Sequence, residues 1–230
     1  MDASPTNAEA LAIKLNRVLT YLKTGQFEAA LRDADTITDL ERSGKALFRK
    51  GQALYHLQRF RESCEVFKLL TSKHPDNDGT KAEFKRAIAR LAEQEKGKYQ
   101  FERLQLEAEK RRPPLLDHAT YVGPVCVKLT ESRGRGLFTT EGVRAGDLLI
   151  CEKAFAYAFH DGKLPSLGLC LAVNAHEETM TMGTQVALVS MIVQKLYKNP
   201  SQMETFKKLY PGSYKGPEVG EVDGLPIVDT

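Results

Sequence analysis

Between a helical first half and a β-like segment the chain reads Arg133-Gly134-Arg135-Gly136-Leu137-Phe138-Thr139-Thr140. Glycine adopts backbone conformations with positive φ and lets another group approach the main chain closely. A Gly-x-Gly pair in this setting predicts a tight turn, and it also fits a cradle for a ligand. A dinucleotide fingerprint or a kinase glycine-rich loop needs a third glycine where Thr139 stands, so both are excluded.

Residues 1–112 carry a helical pattern, with apolar residues recurring at steps of three and four. The pattern predicts three successive helix pairs, the last less regular than the first two. Small residues recur where paired helices approach each other, and an aromatic residue begins the second helix of a pair. The residues concerned are Gly25, Phe27, Ala30, Gly51, Leu54, Phe60 and Pro75. They make this region similar to two tetratricopeptide repeats, whose period is about 34 residues.

The resemblance to tetratricopeptide repeats implies a scaffold that binds a protein or peptide partner. Asn16, Lys45 and Arg49 match positions that hold the C-terminal carboxylates of heat-shock chaperones in co-chaperones of this family. Lys45 and Arg49 are four residues apart and therefore share one helix face, where both can reach one carboxylate. A solvated surface without a ligand is the competing interpretation of these three residues.

Pro113 and Pro114 end the helical part, because proline lacks a backbone donor and clashes with a continuing helix. After a predicted linker at residues 113–120, β-type residues predict three short strands in an antiparallel meander between residues 121 and 157. A helical insert follows at about residues 176–212, with Ser201 as an expected N-cap. The predicted fold class is therefore α+β, with domains at residues 1–112 and 121–230.

The strand region contains three spaced motifs. After residues 133–140 come Val143-x-Ala145-Gly146-Asp147-Leu148-Leu149 and Cys151-Glu152-Lys153-Ala154-Phe155-Ala156. In this order the three motifs resemble the opening of a SET domain, most closely the SET-and-MYND subgroup and its fungal relatives with N-terminal tetratricopeptide repeats. The cysteines of the MYND zinc module are absent, so no metal site is expected.

The SET resemblance implies a protein-lysine methyltransferase that uses S-adenosylmethionine. In that family the Gly-x-Gly turn borders the cofactor pocket, which implies that Gly134 and Gly136 admit the cofactor and that Arg133 or Arg135 faces its carboxylate. Transfer of the methyl group needs the sulfonium donor and a lysine amine held in line, so orientation and desolvation supply most of the rate. A hairpin turn without a ligand remains the alternative for the two glycines.

Two features of the family have no counterpart here, an Asn-His-Ser-Cys segment and a later catalytic tyrosine. No catalytic residue is assigned for this reason, and the chain is expected to be truncated before the catalytic half and inactive by itself. The alternative function is a non-enzymatic scaffold that binds a peptide through its helical repeats. The reading frame beyond Thr230 distinguishes a fragment of an enzyme from such a scaffold.

Composition restricts the remaining function classes. The formal net charge of +3, from 33 basic and 30 acidic residues, is too balanced to predict nucleic-acid binding. No apolar run approaches the roughly 18 residues that a membrane span needs. Four cysteines without a Cys-x-x-Cys pair indicate reduced thiols. These observations predict an intracellular protein of the nucleus or cytoplasm, without direct contact to a membrane.

Overall fold

A computed structural model describes residues 7–37, 44–159, 171–174, 178–209, 212, 221–222 and 225–226. Over these residues the α+β class is confirmed: six packed helices precede small antiparallel sheets and two further helices. The described residues form two compact units, one up to Phe155 and one from Ala156 onward. The domain boundaries at residues 112 and 121 stay a prediction.

The six predicted helices of the first unit are confirmed. They are α1 (Asn7–Thr24), α2 (Phe27–Asp35), α3 (Gly44–His56), α4 (Phe60–Lys73), α5 (Asp78–Lys96) and α6 (Phe101–Lys110). From α1 to α5 each helix packs on the next, and α3 also packs on α1 and α5. Turns with positive φ at Gly25 and Gln58 separate the helices of the first two pairs. This stacking of pairs gives the region a face formed by α1, α3 and α5.

The six helices α1 to α6 form a helical array, and two apolar clusters form its core. The first joins α1, α2 and α3 and consists of Val18, Ala30, Leu31, Ala34, Ala53 and Leu54. The second joins α3, α4 and α5 and consists of Tyr55, Phe60, Cys64, Phe67, Ala87 and Ala119. Because Ala119 lies beyond the last of these helices, the second cluster also fixes the chain that leaves the array.

Helices α3 and α4 approach most closely at Gly51. A Cβ atom there would lie 2.7 Å from Cζ of Phe67, closer than such contacts occur, so only glycine fits without a shift. The Ser63 hydroxyl, fully buried on α4, donates a hydrogen bond of 2.9 Å to the Gly51 carbonyl. A small residue on each helix thus lets the Phe67 ring lie against the α3 backbone.

The predicted linker at residues 113–120 is packed against the helices at its C-terminal end. Asp117 accepts hydrogen bonds from the Tyr55 hydroxyl at 2.8 and 2.9 Å and from Nε of Arg86 at 2.8 Å. The Ala119 amide donates to Glu93 at 2.8 Å, and the Ala119 side chain is fully buried. This segment therefore holds a defined position on α3 and α5.

The hydrogen bond between Asp117 and Tyr55 contributes to a change in the pKa of both side chains. Burial alone raises the pKa of Asp117, but the bonds from Arg86 and Tyr55 hold that pKa below its usual range. Burial, together with the bond to Asp117, raises the pKa of Tyr55 above its ordinary value. At neutral pH the pair is therefore a carboxylate that accepts from a neutral phenol, and the Arg86 guanidinium lies 4.1 Å from the Tyr55 ring centroid.

The strands of the first unit are β1 (Tyr121–Val122), β2 (Val125–Thr130), β3 (Gly134–Thr139) and β4 (Ile150–Cys151). They are antiparallel, but the predicted meander is wrong: β1 pairs with β4, and β2 pairs with β3 as a separate hairpin. The single strand expected between residues 121 and 129 divides between Gly123 and Pro124, because the two residues bond to different partners. The Gly123 amide donates to the Leu149 carbonyl at 2.8 Å, next to β4, whereas the Pro124 carbonyl accepts from the Thr140 amide at 2.8 Å, next to β3.

Helix α5 connects the helical array to these strands. It begins at the Asn77 cap, whose side chain accepts from the Thr80 amide at 3.0 Å, and it ends at Gly97 with φ of 59°. The Tyr121 ring lies against Gly97, where a Cβ atom would be 2.9 Å from its Cε1. The Tyr99 hydroxyl donates to the Ala119 carbonyl at 2.8 Å, so the end of α5 positions the start of β1.

The second unit contains two strand pairs that the sequence pattern did not predict. Strands β5 (Leu171–Asn174) and β6 (Thr179–Met182) form an antiparallel hairpin, and β7 (Glu221–Val222) pairs with β8 (Leu225–Pro226). The two helices expected at residues 176–212 are α7 (Thr184–Lys198) and α8 (Gln202–Phe206). Ser201 precedes α8 as expected, but its side chain makes no capping hydrogen bond, because its backbone is already helical.

Candidate functional site

The Gly-x-Gly stretch lies in the β2–β3 hairpin, in full antiparallel register from Val125 opposite Thr139 to Thr130 opposite Gly134. Gly134 has φ of 71°, a conformation that side-chain-bearing residues rarely adopt. The Thr130 hydroxyl donates to the Gly134 carbonyl at 2.8 Å and accepts from the Arg133 amide at 3.2 Å. The first glycine is thus required by the turn itself.

The second glycine makes room for an aromatic side chain on the same strand. A Cβ atom at Gly136 would lie 2.9 Å from Cε2 of Phe138. Lys128, opposite Gly136, places its Nζ 6.0 Å from the centroid of the Phe138 ring. Both glycines therefore have a local structural explanation, and the geometry by itself does not require a ligand.

The hairpin nevertheless presents an open surface. Apart from the chain neighbours of Gly134, no described atom lies within 4 Å of the place that a Cβ atom would occupy, so the backbone there is accessible from the side-chain direction. Arg133 and Arg135 are both exposed, Arg133 in the turn and Arg135 opposite Leu129. Alternation along the strand places Arg135 on the opposite face from Gly134 and Gly136. The hairpin therefore brings the four predicted cofactor residues together at one end, with Arg135 on the face opposite the two glycines.

Apolar side chains on the face of the hairpin that carries Arg135 are also exposed. The exposed fractions are 64% for Val127, 80% for Leu129 and 54% for Leu137. These residues alternate along β2 and β3 and therefore share a face with Arg135. Contiguous apolar surface of this kind is typical of a site for another chain segment or a ligand.

The second group of predicted site residues lies at a cleft of about 710 Å³ in the helical array. Lys45 and Arg49 of α3 both line this cleft, together with Leu19 of α1, Phe48 of α3 and the start of α5 at Thr80. The N-terminus of a helix favours an anion, because its first amides lack backbone partners. Two cations and a helix start thus face the same cleft.

Asn16 and Arg49 differ in how they relate to this cleft. Asn16 is exposed on α1 and is not among the lining residues, so the structure brings only two of the three predicted clamp residues together. The Arg49 guanidinium donates to the Leu15 carbonyl, and burial lowers the Arg49 pKa. One N–H group of Arg49 therefore already donates to α1, and a ligand could use only the remaining ones.

Other chemistry gives little signal in the part of the chain that the structure describes. Its cysteines Cys64, Cys126 and Cys151 are free, and its histidine, cysteine and carboxylate side chains form no cluster of three that could hold a metal. None of its helices is both long and apolar enough to cross a membrane. The polar contacts of Asp117 and Glu93 were missed from the sequence, since a short linker carries no periodic signal.

Comparison with known proteins adds one relative. Over 217 residues, which are 94% of this chain, the sequence is 37% identical to a protein of Gibberella zeae described as a methyltransferase. The chain spans 30% of the length of that protein. The similarity extends over the helical array and the β2–β3 hairpin together, because it leaves out only a small part of the chain. No protein-family profile matches the sequence. No solved structure matches it either.

Proposed function

We propose that this chain is part of a protein-lysine methyltransferase of the SET type, and that the β2–β3 hairpin forms one wall of its S-adenosylmethionine pocket. The observation that carries the proposal is the 37% identity to the fungal methyltransferase over 94% of the chain. The spaced motifs that follow Arg133 support the SET type. The tetratricopeptide-like helices then form the region that recruits a protein partner.

The exposed hairpin supports a role in cofactor binding. Gly134 leaves the main chain open to a ligand, and Arg133 and Arg135 supply cations near the same turn. A guanidinium binds a carboxylate through paired hydrogen bonds, which fits the amino-acid end of S-adenosylmethionine. In this proposal the chain is part of a longer protein. Other residues of that protein form the second wall of the pocket and supply the group that accepts the lysine proton. Methyl transfer by the 230-residue chain is accordingly not expected.

Calorimetric titration of S-adenosylmethionine into the chain tests the cofactor proposal. We expect weak one-site binding, and we expect Arg133→Gln with Arg135→Gln to weaken it about tenfold, since a charge-assisted hydrogen bond contributes about 1.5–3 kcal/mol. Arg144→Gln is the matched control, because Arg144 is exposed in the next turn.

Methylthioadenosine, which lacks the amino-acid end, separates a specific contact from general weakening. Its affinity should be the same for the double variant and the unchanged chain. Equal weakening of both ligands contradicts a carboxylate contact by the arginines. Absence of heat with the folded chain at millimolar S-adenosylmethionine contradicts the cofactor role of the hairpin in this chain.

A non-enzymatic peptide-binding role is the second candidate, favoured by the cleft that Lys45 and Arg49 line. A fluorescent pentapeptide with a free C-terminal carboxylate should bind more tightly than its C-terminal amide. Lys45→Ala with Arg49→Ala should remove that difference, whereas Lys23→Ala, on the exposed side of α1, should preserve it. Fluorescence anisotropy measures both affinities. Equal binding of the acid and the amide by the unchanged chain excludes a carboxylate clamp.

A further inference from the structure

A second cleft, of about 590 Å³, lies between α5 and α6 and has no role in either proposed function. Its walls come from both helices, the turn that joins them and the Asp117 segment. The cations that line it are Lys85, Arg86, Arg90, Lys98, Arg103 and Arg111. Its volume is within the range of about 300–1,000 Å³ typical of ligand sites.

Three of these cations are neutralised by carboxylates within the cleft. Each arginine concerned forms a short ion pair, and each carboxylate of the cleft takes part in one. The pairs are Arg86 with Asp117 at 2.8 Å, Arg90 with Glu93 at 2.5 Å and Arg111 with Glu107 at 2.6 Å. The carboxylates are thus already occupied and do not compensate the remaining cations.

Lys85, Lys98 and Arg103 are the remaining cations. All three side chains are exposed, and none of these side chains forms a hydrogen bond or ion pair with the residues that the structure describes. The cleft therefore carries a net charge of +3, which equals the formal charge of the entire 230-residue chain. A local excess of this kind attracts an anionic ligand and accelerates its association.

The surroundings of the cleft distinguish among anionic partners. Outside it, α6 exposes Glu102 and Glu109, which do not line the cleft. A protein surface that binds nucleic acid is usually a broad basic patch, because the charge of a nucleic acid extends over a long path. A nucleic acid on this cleft would therefore meet the carboxylates of Glu102 and Glu109. Inside the cleft, Ala89 and the half-buried Leu104 offer apolar contacts beside the cations. A short acidic peptide matches both the confined charge and the apolar wall.

We propose that the cleft between α5 and α6 binds an acidic segment of a partner protein, with Lys85, Lys98 and Arg103 as the residues that contact its carboxylates. This surface is separate from the cleft of Lys45 and Arg49 and does not depend on the cofactor role of the hairpin. It gives the helical array an acidic partner in addition to any peptide held by its terminal carboxylate.

Fluorescence anisotropy with a labelled hexaglutamate, acetylated at its N-terminus and amidated at its C-terminus, tests the proposal. The blocked termini remove the carboxylate that a terminal clamp would need. We expect saturable binding at low salt, and Lys85→Gln, Lys98→Gln and Arg103→Gln combined should weaken it about tenfold or more. Raising the salt concentration should also weaken it, because exposed charges are screened.

The control variant removes the same charges elsewhere, with Lys23→Gln, Arg32→Gln and Lys68→Gln on exposed positions outside both clefts. Circular dichroism confirms that each variant is folded. Equal weakening by the control triple, or unchanged affinity of the cleft triple, overturns the proposal. Tighter binding of a single-stranded oligonucleotide than of hexaglutamate, with the same dependence on the three cations, assigns the cleft to nucleic acid and overturns it as well.

Discussion

Phe67→Ala should lower the free energy of unfolding by about 3–5 kcal/mol, the usual cost of truncating a buried phenylalanine. The Phe67 ring is completely buried in the second core cluster and packs edge-on against Phe48, with 5.9 Å between ring centroids. The neighbouring Gly51 cannot fill the cavity, because it has no side chain. Urea denaturation followed by circular dichroism measures the change. Phe101→Ala, at a site 54% exposed on α6, is the control, with an expected loss of about 1 kcal/mol or less.

A substitution at Gly51 tests how closely α3 and α4 approach each other at the Phe67 ring. Gly51→Ala should destabilise by about 1–3 kcal/mol through overpacking against the Phe67 ring, even though alanine favours a helix by about 1 kcal/mol. Phe67→Leu should offset part of that cost, so the double variant should be more stable than the sum of the single changes predicts. Additive free energies would show that the two residues do not collide.

Glu93→Ala should lower the free energy of unfolding by about 3 kcal/mol, since it removes the nearest carboxylate partner of the largely buried Arg90 cation and the acceptor of the buried Ala119 amide. The side chains of Glu93 and Arg90 are 7% and 14% exposed and lie 2.5 Å apart. Glu93 also accepts from the Ala119 amide. Arg90 keeps the Asp117 carboxylate at 3.5 Å, which places the effect at the lower end for broken buried ion pairs.

Glu95 provides the matched control two residues further along α5. It pairs with Arg61, but their side chains are 36% and 70% exposed, so Glu95→Ala should cost less than about 1 kcal/mol. Thermal and urea denaturation of both variants at neutral pH compare the two carboxylates directly. Similar losses for Glu93→Ala and Glu95→Ala would show that the Ala119 segment is not held by Glu93.

The candidate sites were found from the sequence to different degrees. Gly134 and Gly136 predicted a turn from their spacing, but the positive φ of Gly134 and the contact of Gly136 with the Phe138 ring depend on the folded hairpin. Lys45 and Arg49 were placed together because the helical repeat fixes residues four apart on one face. Asn16 was not, since its position relative to the cleft depends on how α1 packs on α3.

The sequence by itself determined the α+β class and the six helices of the first unit, because apolar periodicity and turn residues act over a few neighbouring positions. Tertiary structure decided which strands pair. Instead of the expected meander, β1 pairs with β4, and the bond from the Gly123 amide to the Leu149 carbonyl extends that pairing. It also decided that Asp117 and Ala119 lie on the helices. Such contacts join residues far apart in the chain, so no local pattern of side chains encodes them.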